Sequence, residues 1–517
     1  MKRVQTNLID SLLDTASRNP HRIATWDESR EYTFEQLVCG AAALADVLHG
    51  LSSETRRVIA VYLPKGVPVT LADFAILMTC NAFMNLDVKT PVDRISNIFT
   101  NVEPLVVISN SEGRKALSPI LGETPFLEVE EFLASTTWTR PCPTQWHFYG
   151  YRPIDADPFC IINTSGSTGT PKGVVTPFRA FNNFVLWTIE KYALRVDEEV
   201  SASVSPVFFD AFVLEMLLMA TIGLTQILVP DTYRMFPVKI LQLMQEKGVS
   251  FFLWVPTIMV NIANAGVLEA YRLPQLRVGW FAGEVCPPKQ TNQWIAACPH
   301  TQFVNLYGPM EVTVICTYYD IHGKVDEDRP IPIGRAVDNY GVRLLTAEGV
   351  EVKTPGVEGE ICVFGSVIAY GYYGLSEKTE EAFRPLSTRG KYAEKIYHTG
   401  DYGTYDERGE ILFKGRKDSL VKHSGYRIEL AEIEHIMFNV AKIAPYGCVV
   451  YDFQKREIVV VYESSEELSL VVVRKSLMSF LPKYMLPGRL LRMDQMVRNG
   501  AGKIDRALLN RQINVTE

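Results

Sequence analysis

The amino-acid sequence predicts an α/β protein, a large N-terminal body followed by a small α+β C-terminal domain. Three observations carry that reading. From about residue 55 to 310, short apolar β-rich runs alternate with helical stretches, the pattern of parallel sheets covered on both faces. Between about 330 and 415 the strands shorten and glycines cut them, as in a small β-barrel or an antiparallel sheet. From about 419 the chain restarts, and the roughly one hundred residues that remain suffice for one small domain.

Taken in order, VIAVYL at 58–63 reads as a buried strand, and VTLADFAILMTCNAF after it reads as helical. LVVISN at 105–110 and FCIINT at 159–164 are further strands, followed by TQILVP, SFFLWVP, VGWFAG and QFVNLYGP. GVRLL, GEICVFG and EILFKGR are the short strands of the middle region. In the tail, CVVYD and IVVVYES are strands, and LSLVVVRKSLMSFLPKYM is expected to be a helix ended by Pro487. With no low-complexity linker in sight, a short hinge near Gly415–Asp418 is expected to separate residues 1–416 from 417–517.

At 517 residues the chain is too long for one ordinary core, so two or more domains are expected. Apolar residues make up 47% and charged residues 21%, the balance of a globular rather than a disordered chain. A net charge of −7 argues against nucleic acid as a partner. The nine cysteines are odd in number and form no C-x-x-C pair, which argues against a disulfide framework or a zinc site and for a reducing, cytoplasmic location. The N-terminus lacks a signal-peptide apolar core, and no uncharged apolar run is long enough to span a membrane; even VFFDAFVLEMLLMATIGLT carries Asp210 and Glu215. H-E-x-x-H, G-x-S-x-G and a strand-opening G-x-G-x-x-G are all absent.

The segment TSGSTGTPKGV at 164–174 stands out. Glycines let backbone N–H groups close on an anion, hydroxyls add donors and Lys172 adds charge. Pro171 before the lysine and Gly173 after it break the Walker A pattern, and such a stretch can also be a plain turn. Downstream lie FAGEVCPP at 281–288, NLYGPMEVT at 305–313, YHTGDYGTYDERGEILFKGRKDSLVKHSGYRIEL at 397–430 and RNGAGKIDRALL at 498–509. With YTFEQL at 32–37, NLDVKTPVDRI at 85–95 and GEICVFGSVIAYGYYG at 359–374, these segments resemble the signatures of the adenylate-forming superfamily. Their order over nearly the whole chain most resembles amino-acid-activating domains of nonribosomal peptide synthesis and stand-alone D-alanine–carrier protein ligases.

The resemblance implies a body of two α/β subdomains plus a β-barrel-like subdomain, with a mobile C-terminal lid. It also implies a two-step ligase reaction. A carboxylate attacks the α-phosphate of ATP to give an acyl-adenylate and pyrophosphate, and a phosphopantetheine thiol then takes the acyl group. In that scheme Thr164, Ser165, Gly166, Ser167, Thr168, Gly169 and Lys172 cradle the β- and γ-phosphates. Tyr307 stacks on adenine beside Gly283, Asn305 and Gly308, although a tyrosine after a strand is more often a core aromatic. Glu311 binds the Mg²⁺ that bridges the phosphates, its competing reading being a solvated first-turn glutamate. Asp401 accepts from the ribose hydroxyls and Arg416 reaches ribose or phosphate, or forms only a surface ion pair. Asp418 sits at the hinge. Lys503 is the main catalytic cation, and Lys422 is assigned to the active site of the second half-reaction, with Gly425 and Tyr426 near the pantetheine path. The chain departs from the family at Met310, where a threonine is usual and Thr313 is the nearby hydroxyl, and at Ala501, where asparagine is usual.

Substrate choice is read from Asp210, which in this context pairs with an α-ammonium group, or else caps a helix. Ala211, Leu214, Leu253, Trp280, Ala282, Leu306, Val314 and Ile315 complete the pocket by position. Apart from the indole, none of them is a strong hydrogen-bond former, so the side chain accepted is expected to be small and apolar. The pocket resembles that of stand-alone prolyl–carrier protein ligases, which places L-proline first and alanine second. Fourteen residues follow Lys503, so the carrier is expected to be a separate protein. The alternatives are an acyl- or aryl-CoA synthetase of the same superfamily and a non-catalytic scaffold, for which Met310 and Ala501 are the hints.

Overall fold

The computed structural model describes residues 7–130, 132, 142–165, 171–388, 392–416, 420–444, 446–464, 466–498 and 504–514. The chain divides into two compact units. The first holds Met1–Val88, Val102–Ile162 and Val174–Gly415; the second holds Arg416–Glu517 together with Lys89–Asn101 and Asn163–Gly173. The break falls at Gly415–Arg416, beside the sequence-based boundary, but two earlier segments cluster with the C-terminal residues.

The first unit is built on three sheets among the described residues. A nine-stranded sheet runs in the order Arg335–Ala336, Thr317–Ile321, Gln302–Tyr307, Val278–Ala282, Phe251–Trp254, Val200–Ser203, Thr225–Leu228, Ile23–Trp26, Glu31–Thr33. Its interior pairs are parallel, and antiparallel strands close both edges. A seven-stranded sheet centres on Val58–Tyr62, Ala82–Asn85 and Pro158–Thr164. The third, six-stranded sheet collects the glycine-cut strands of the middle region, including Glu358–Gly365 and Tyr392–Tyr405.

Buried strands are covered by helices whose ends follow local chemistry. Helix Phe34–Leu51 starts at a capping box in which Thr33 and Gln36 exchange side-chain and backbone bonds. By length and composition alone this helix could cross a bilayer, yet nine of its eighteen residues are buried, and it packs on helices Leu8–Arg18 and Val67–Met78. The stretch read as one helix over 69–83 is in fact two elements. Helix Val67–Met78 stops at Thr79, Cys80 takes a left-handed turn (φ 60°), and Ala82–Asn85 becomes a strand beside Val58–Tyr62.

The second unit contains the hairpin Leu420–His423/Tyr426–Glu429 and a three-stranded sheet of Tyr446–Asp452, Glu457–Glu463 and Arg489–Met493. Here too one expected helix is shorter than read. It spans only Leu470–Leu477 and ends well before Pro482, whose ring removes an N–H that a longer helix needs; Lys483–Met485 is a 3₁₀ turn. Ile428, Ile433, Met437, Val449, Val460 and Leu477 form its core. Beside that core the guanidinium of Arg94 meets the carboxylate of Glu432, the two side chains being 9% and 0% exposed. Burial alone lowers the arginine's proton affinity, so the ion pair must compensate its own desolvation.

Arg94→Ala or Glu432→Ala leaves the other charge buried alone. Urea unfolding should show each single variant destabilised by about 3–5 kcal/mol, and an apolar Met/Leu replacement of both should recover most of the loss.

Candidate active site

In a parallel sheet the strands deliver their following loops to one edge, and ligands bind at that edge. In the first unit, Asp210, Gly283 and Tyr307 lie at that carboxyl edge, after strands Val200–Ser203, Val278–Ala282 and within the last turn of Gln302–Tyr307. Asp210 opens helix Asp210–Ile222, and the capping position belongs to Phe209, which makes no side-chain cap bond. The competing N-cap role for Asp210 is therefore not seen. Its carboxylate lies in the first turn, where the helix dipole favours negative charge, and it acts electrostatically on the buried Cys160.

Strand register places four of the assigned pocket residues, Leu253, Trp280, Ala282 and Leu306, on neighbouring strands. Leu253, Trp280 and Val304 are consecutive partners across three parallel strands, and Ala282 pairs with Leu306 one step toward the carboxyl edge. Alternation puts all of them on one face, while Phe252, Trp254, Phe281 and Phe303 serve the core on the other. Leu214, Leu253, Trp280, Leu306, Val314 and Ile315 are buried, and only Asp210, Ala211 and Ala282 stay partly open. Trp280 is wedged among Phe184, Tyr192 and Phe251, with centroids 5.0–6.0 Å apart. Its indole N–H has no hydrogen-bond partner among the described residues.

The turn after Tyr307 is tight. A Cβ on Gly308 would lie 2.6 Å from the Ile315 backbone, so only glycine fits. Thr313 and Val314 both have positive φ (51° and 62°), an uncommon conformation for β-branched residues. Glu311 is fully buried and accepts the Tyr372 hydroxyl at 2.8 Å. This overturns the solvated first-turn reading of Glu311. Met310 packs on the core. Thr313, the hydroxyl that could have replaced the missing one, donates to the Val367 carbonyl at 2.8 Å and is 1% exposed. Asn305 is buried and held by the Pro332 carbonyl at 2.8 Å. Gly283 sits at φ 94°.

Asp401 comes to this edge from the six-stranded sheet. Strand Tyr392–Tyr405 carries a bulge: Cys362 opposes His398, whereas Glu360 opposes Tyr402. The bulge is fastened at three points. The Thr399 hydroxyl donates to the Ile361 carbonyl (2.6 Å), the Asp401 N–H donates to Thr399 Oγ1 (2.9 Å), and the Gly400 N–H donates to Glu360 Oε1 (3.0 Å). Asp401 Oδ2 then accepts the Tyr307 hydroxyl at 2.5 Å. Burial first, and the Asp401 carboxylate second, push the Tyr307 hydroxyl far above its ordinary range, so it stays a donor. The structure thus joins Tyr307 and Asp401, but the tyrosine ring is 6% exposed and belongs to the core beside Phe413.

The remaining assigned residues belong to the second unit. Thr164 Oγ1 reaches the Lys172 carbonyl at 3.4 Å. Ser165 Oγ donates to the Arg427 carbonyl at 2.9 Å and accepts the Glu429 N–H at 3.1 Å. Lys172, Arg416 and Lys422 are half-buried, Lys422 facing Arg427 across the hairpin register. Arg498 pairs with Ile504, and Arg506 grips both oxygens of Glu434 at 2.6 Å. Gly166, Ser167, Thr168, Gly169, Asp418, Ala501 and Lys503 lie outside the described residues. Sequence reasoning missed Glu360, Tyr372 and Thr399 as supports. All three lie inside quoted segments, but nothing local shows that they reach Gly400, Glu311 and Ile361.

Fold and site define an α/β enzyme that gathers an acidic, aromatic and apolar set at one sheet edge. The chain belongs to the AMP-binding enzyme family, whose pattern matches residues 12–373. It is 28% identical over 515 residues to the L-proline–[L-prolyl-carrier protein] ligase of Streptomyces coelicolor, covering 95% of this chain and 94% of that one. It is 27% identical over 512 residues to the Delta-poly-L-ornithine synthetase of Acinetobacter baumannii, covering 97% of this chain and 36% of that protein, so it spans about a third of that relative's length. The Vibrio cholerae adenylation domain AlmE, solved in complex with glycyl-adenosine-5'-phosphate, superposes with a TM-score of 0.82 at 20% identity over 99% of this chain and 98% of that one. That likeness establishes the shared fold.

The helix that presents Asp210 also carries Glu215, fully buried and bonded by Gln226 Nε2 at 3.2 Å. Burial raises its carboxyl to about 7, against which Ser203, Gln226 and Lys65 pull only partly. Because the folded value lies above the unfolded one, the native state holds the extra proton between about pH 4.5 and 7. Stability from this group is full below that window and is lost as pH rises through it. Thermal melts at pH 5 and pH 8 should differ less for Glu215→Gln than for the unaltered chain.

Proposed function

We propose that the chain activates a small apolar α-amino acid with ATP as the aminoacyl-adenylate, then transfers it to the phosphopantetheine thiol of a separate carrier protein. What supports this reading is that Asp210 opens the helix after strand Val200–Ser203, the sheet neighbour of the strand carrying Leu253, while Leu253, Trp280 and Leu306 are buried and Ala211 and Ala282 partly open. A carboxylate there is a charge-matched partner for an α-ammonium, which would select amino acids over fatty or aryl acids. The rings around Trp280 fill the floor, so the accepted side chain is small. Full-length similarity to a prolyl–carrier ligase favours L-proline, with alanine second.

In the first step a carboxylate oxygen bonds to the α-phosphorus and the bond to pyrophosphate breaks. In the second, the thiol sulfur bonds to the acyl carbon, AMP leaves and the thiol proton passes to solvent. Tyr307 and Asp401 are assigned to the nucleoside, the ring offering only its exposed margin to the purine and the carboxylate accepting from ribose. Glu311 is a single hard carboxylate, the donor that Mg²⁺ takes alongside phosphate oxygens. When bound, that ion neutralises charge on the phosphates. Lys172 and the loop around it are assigned to the leaving pyrophosphate, Arg416 to the nucleotide, Lys503 to the charge that develops at the α-phosphate, and Lys422 to the transfer step.

Amino-acid-dependent ATP–pyrophosphate exchange over an acid panel tests the proposal, and proline or alanine should give the highest rate. Exchange with fatty or benzoic acids alone would move the activity to an acyl- or aryl-CoA synthetase, and silence with every acid would make the chain a scaffold. Lys503→Ala should slow exchange by about 10²–10³-fold. Asp210→Ala should raise the amino acid KM by about tenfold or more, and an unchanged KM removes the ammonium pairing.

A further inference from the structure

We propose that Glu360, Cys362 and His398 form a three-ligand site for a zinc-class divalent cation. The strand register builds it. Cys362 and His398 are direct partners across strands Glu358–Gly365 and Tyr392–Tyr405, and Glu360 is two residues before Cys362, on the same face of its strand. His398 Nδ1 lies 3.4 Å from Cys362 Sγ and 3.0 Å from Glu360 Oε2, and the three ligand atoms fall within 4.8 Å of one another. Ordinary zinc bond lengths at tetrahedral angles require edges of about 3.6 Å for sulfur–nitrogen and about 3.4 Å for nitrogen–oxygen. The two edges at His398 Nδ1 lie within a few tenths of an ångström of those values.

The hydrogen-bonding chemistry of the apo triad is awkward in a way that a cation resolves. One ring nitrogen faces both the thiol and the carboxylate, yet a neutral Nδ1 either donates or accepts. If it donates to Glu360, it offers no lone pair to the thiol. A cation lets thiolate, imidazole and carboxylate all point lone pairs at one spot, and the thiol proton leaves to solvent on binding. The support usual around a metal ligand is already in place, since Glu360 Oε1 is held by the Gly400 N–H. Access is open too: the side chains of His398 and Glu360 are 24% and 22% exposed, while Cys362 is buried. Arg384 lies within electrostatic reach of Glu360 and is the local competitor for its charge. A soft thiolate with a borderline imidazole and one carboxylate suits zinc and excludes magnesium, so this site is chemically distinct from the Glu311 carboxylate.

The test uses the full chain, stripped with chelator under reducing conditions and dialysed against zinc or magnesium salts. Metal analysis should find about one zinc per chain and no retained magnesium at this site. Cobalt(II) in place of zinc should give a thiolate-to-metal charge-transfer band that Cys362→Ser abolishes. His398→Gln should weaken zinc binding by about tenfold or more. Zinc retained equally by Cys362→Ser, or no zinc above that variant's level, overturns the site. If the serine variant does not fold, unchanged zinc affinity in His398→Gln overturns it instead.

Discussion

Period-two alternation in the central strands of the nine-stranded sheet is the constraint on which the site rests. Because the sheet is covered on both faces, every strand must supply apolar side chains in both directions, and its residues divide strictly between two cores. Leu253, Trp280, Val304 and Leu306 go to one face; Phe252, Trp254, Phe281 and Phe303 go to the other. A slip of one residue in any of these strands would exchange the faces and dismantle the apolar floor. Asp210 reaches the carboxyl edge of the same sheet without a special device. A helix that follows a parallel strand begins at the strand's carboxyl edge, and Asp210 is the first residue of that helix.

The second sheet contributes through an irregularity rather than through regularity. A continuous ladder would have turned Asp401 away from Tyr307 or left its backbone paired within the sheet. The bulge between Cys362 and Glu360 spends that pairing and replaces it with the Thr399 hydroxyl and the Glu360 carboxylate. Each replacement is a net gain of about 1 kcal/mol at most, so the bulge holds only because several act together. Its product is a buried tyrosine–carboxylate contact, where low dielectric strengthens the bond and penalises the loss of either partner.

Much of this was legible along the chain. The strands around VGWFAG and QFVNLYGP, the change of pattern after 330 and the restart near 419 follow from periodicity and glycine spacing, and the structure has them. What was not legible is pairing at long range. Tyr307 and Asp401 are 94 residues apart, and Arg94 and Glu432 are 338 apart; neither contact leaves a local trace. Local rules also failed where two signals compete. The run at 69–83 is mostly apolar and buried throughout, with no polar face, so periodicity cannot separate the helix from the strand that follows Cys80. In the tail, apolar periodicity outweighed Pro482 in the reading but not in the fold. The approach of Cys362 and His398 is likewise invisible to cysteine spacing, since they meet across strands and not along one.

Ser165 shows how a residue's assigned role and its observed bonds can bear on one another. Its hydroxyl has a single proton, and that proton goes to the Arg427 carbonyl while the oxygen accepts the Glu429 N–H. A hydroxyl so placed cannot also donate to a phosphate. Breaking both bonds costs about 1–3 kcal/mol, which a phosphate contact can repay because a hydrogen bond to a charged group is the stronger one. In the proposed role, a grip on an anion and the observed grip on the hairpin would compete for the same atom. The Thr164 hydroxyl likewise spends its proton on the Lys172 carbonyl, a bond that leaves the Lys172 ammonium group out of the exchange. In the proposed phosphate-binding role, the Lys172 charge would therefore be a separate contribution from the Ser165 hydroxyl.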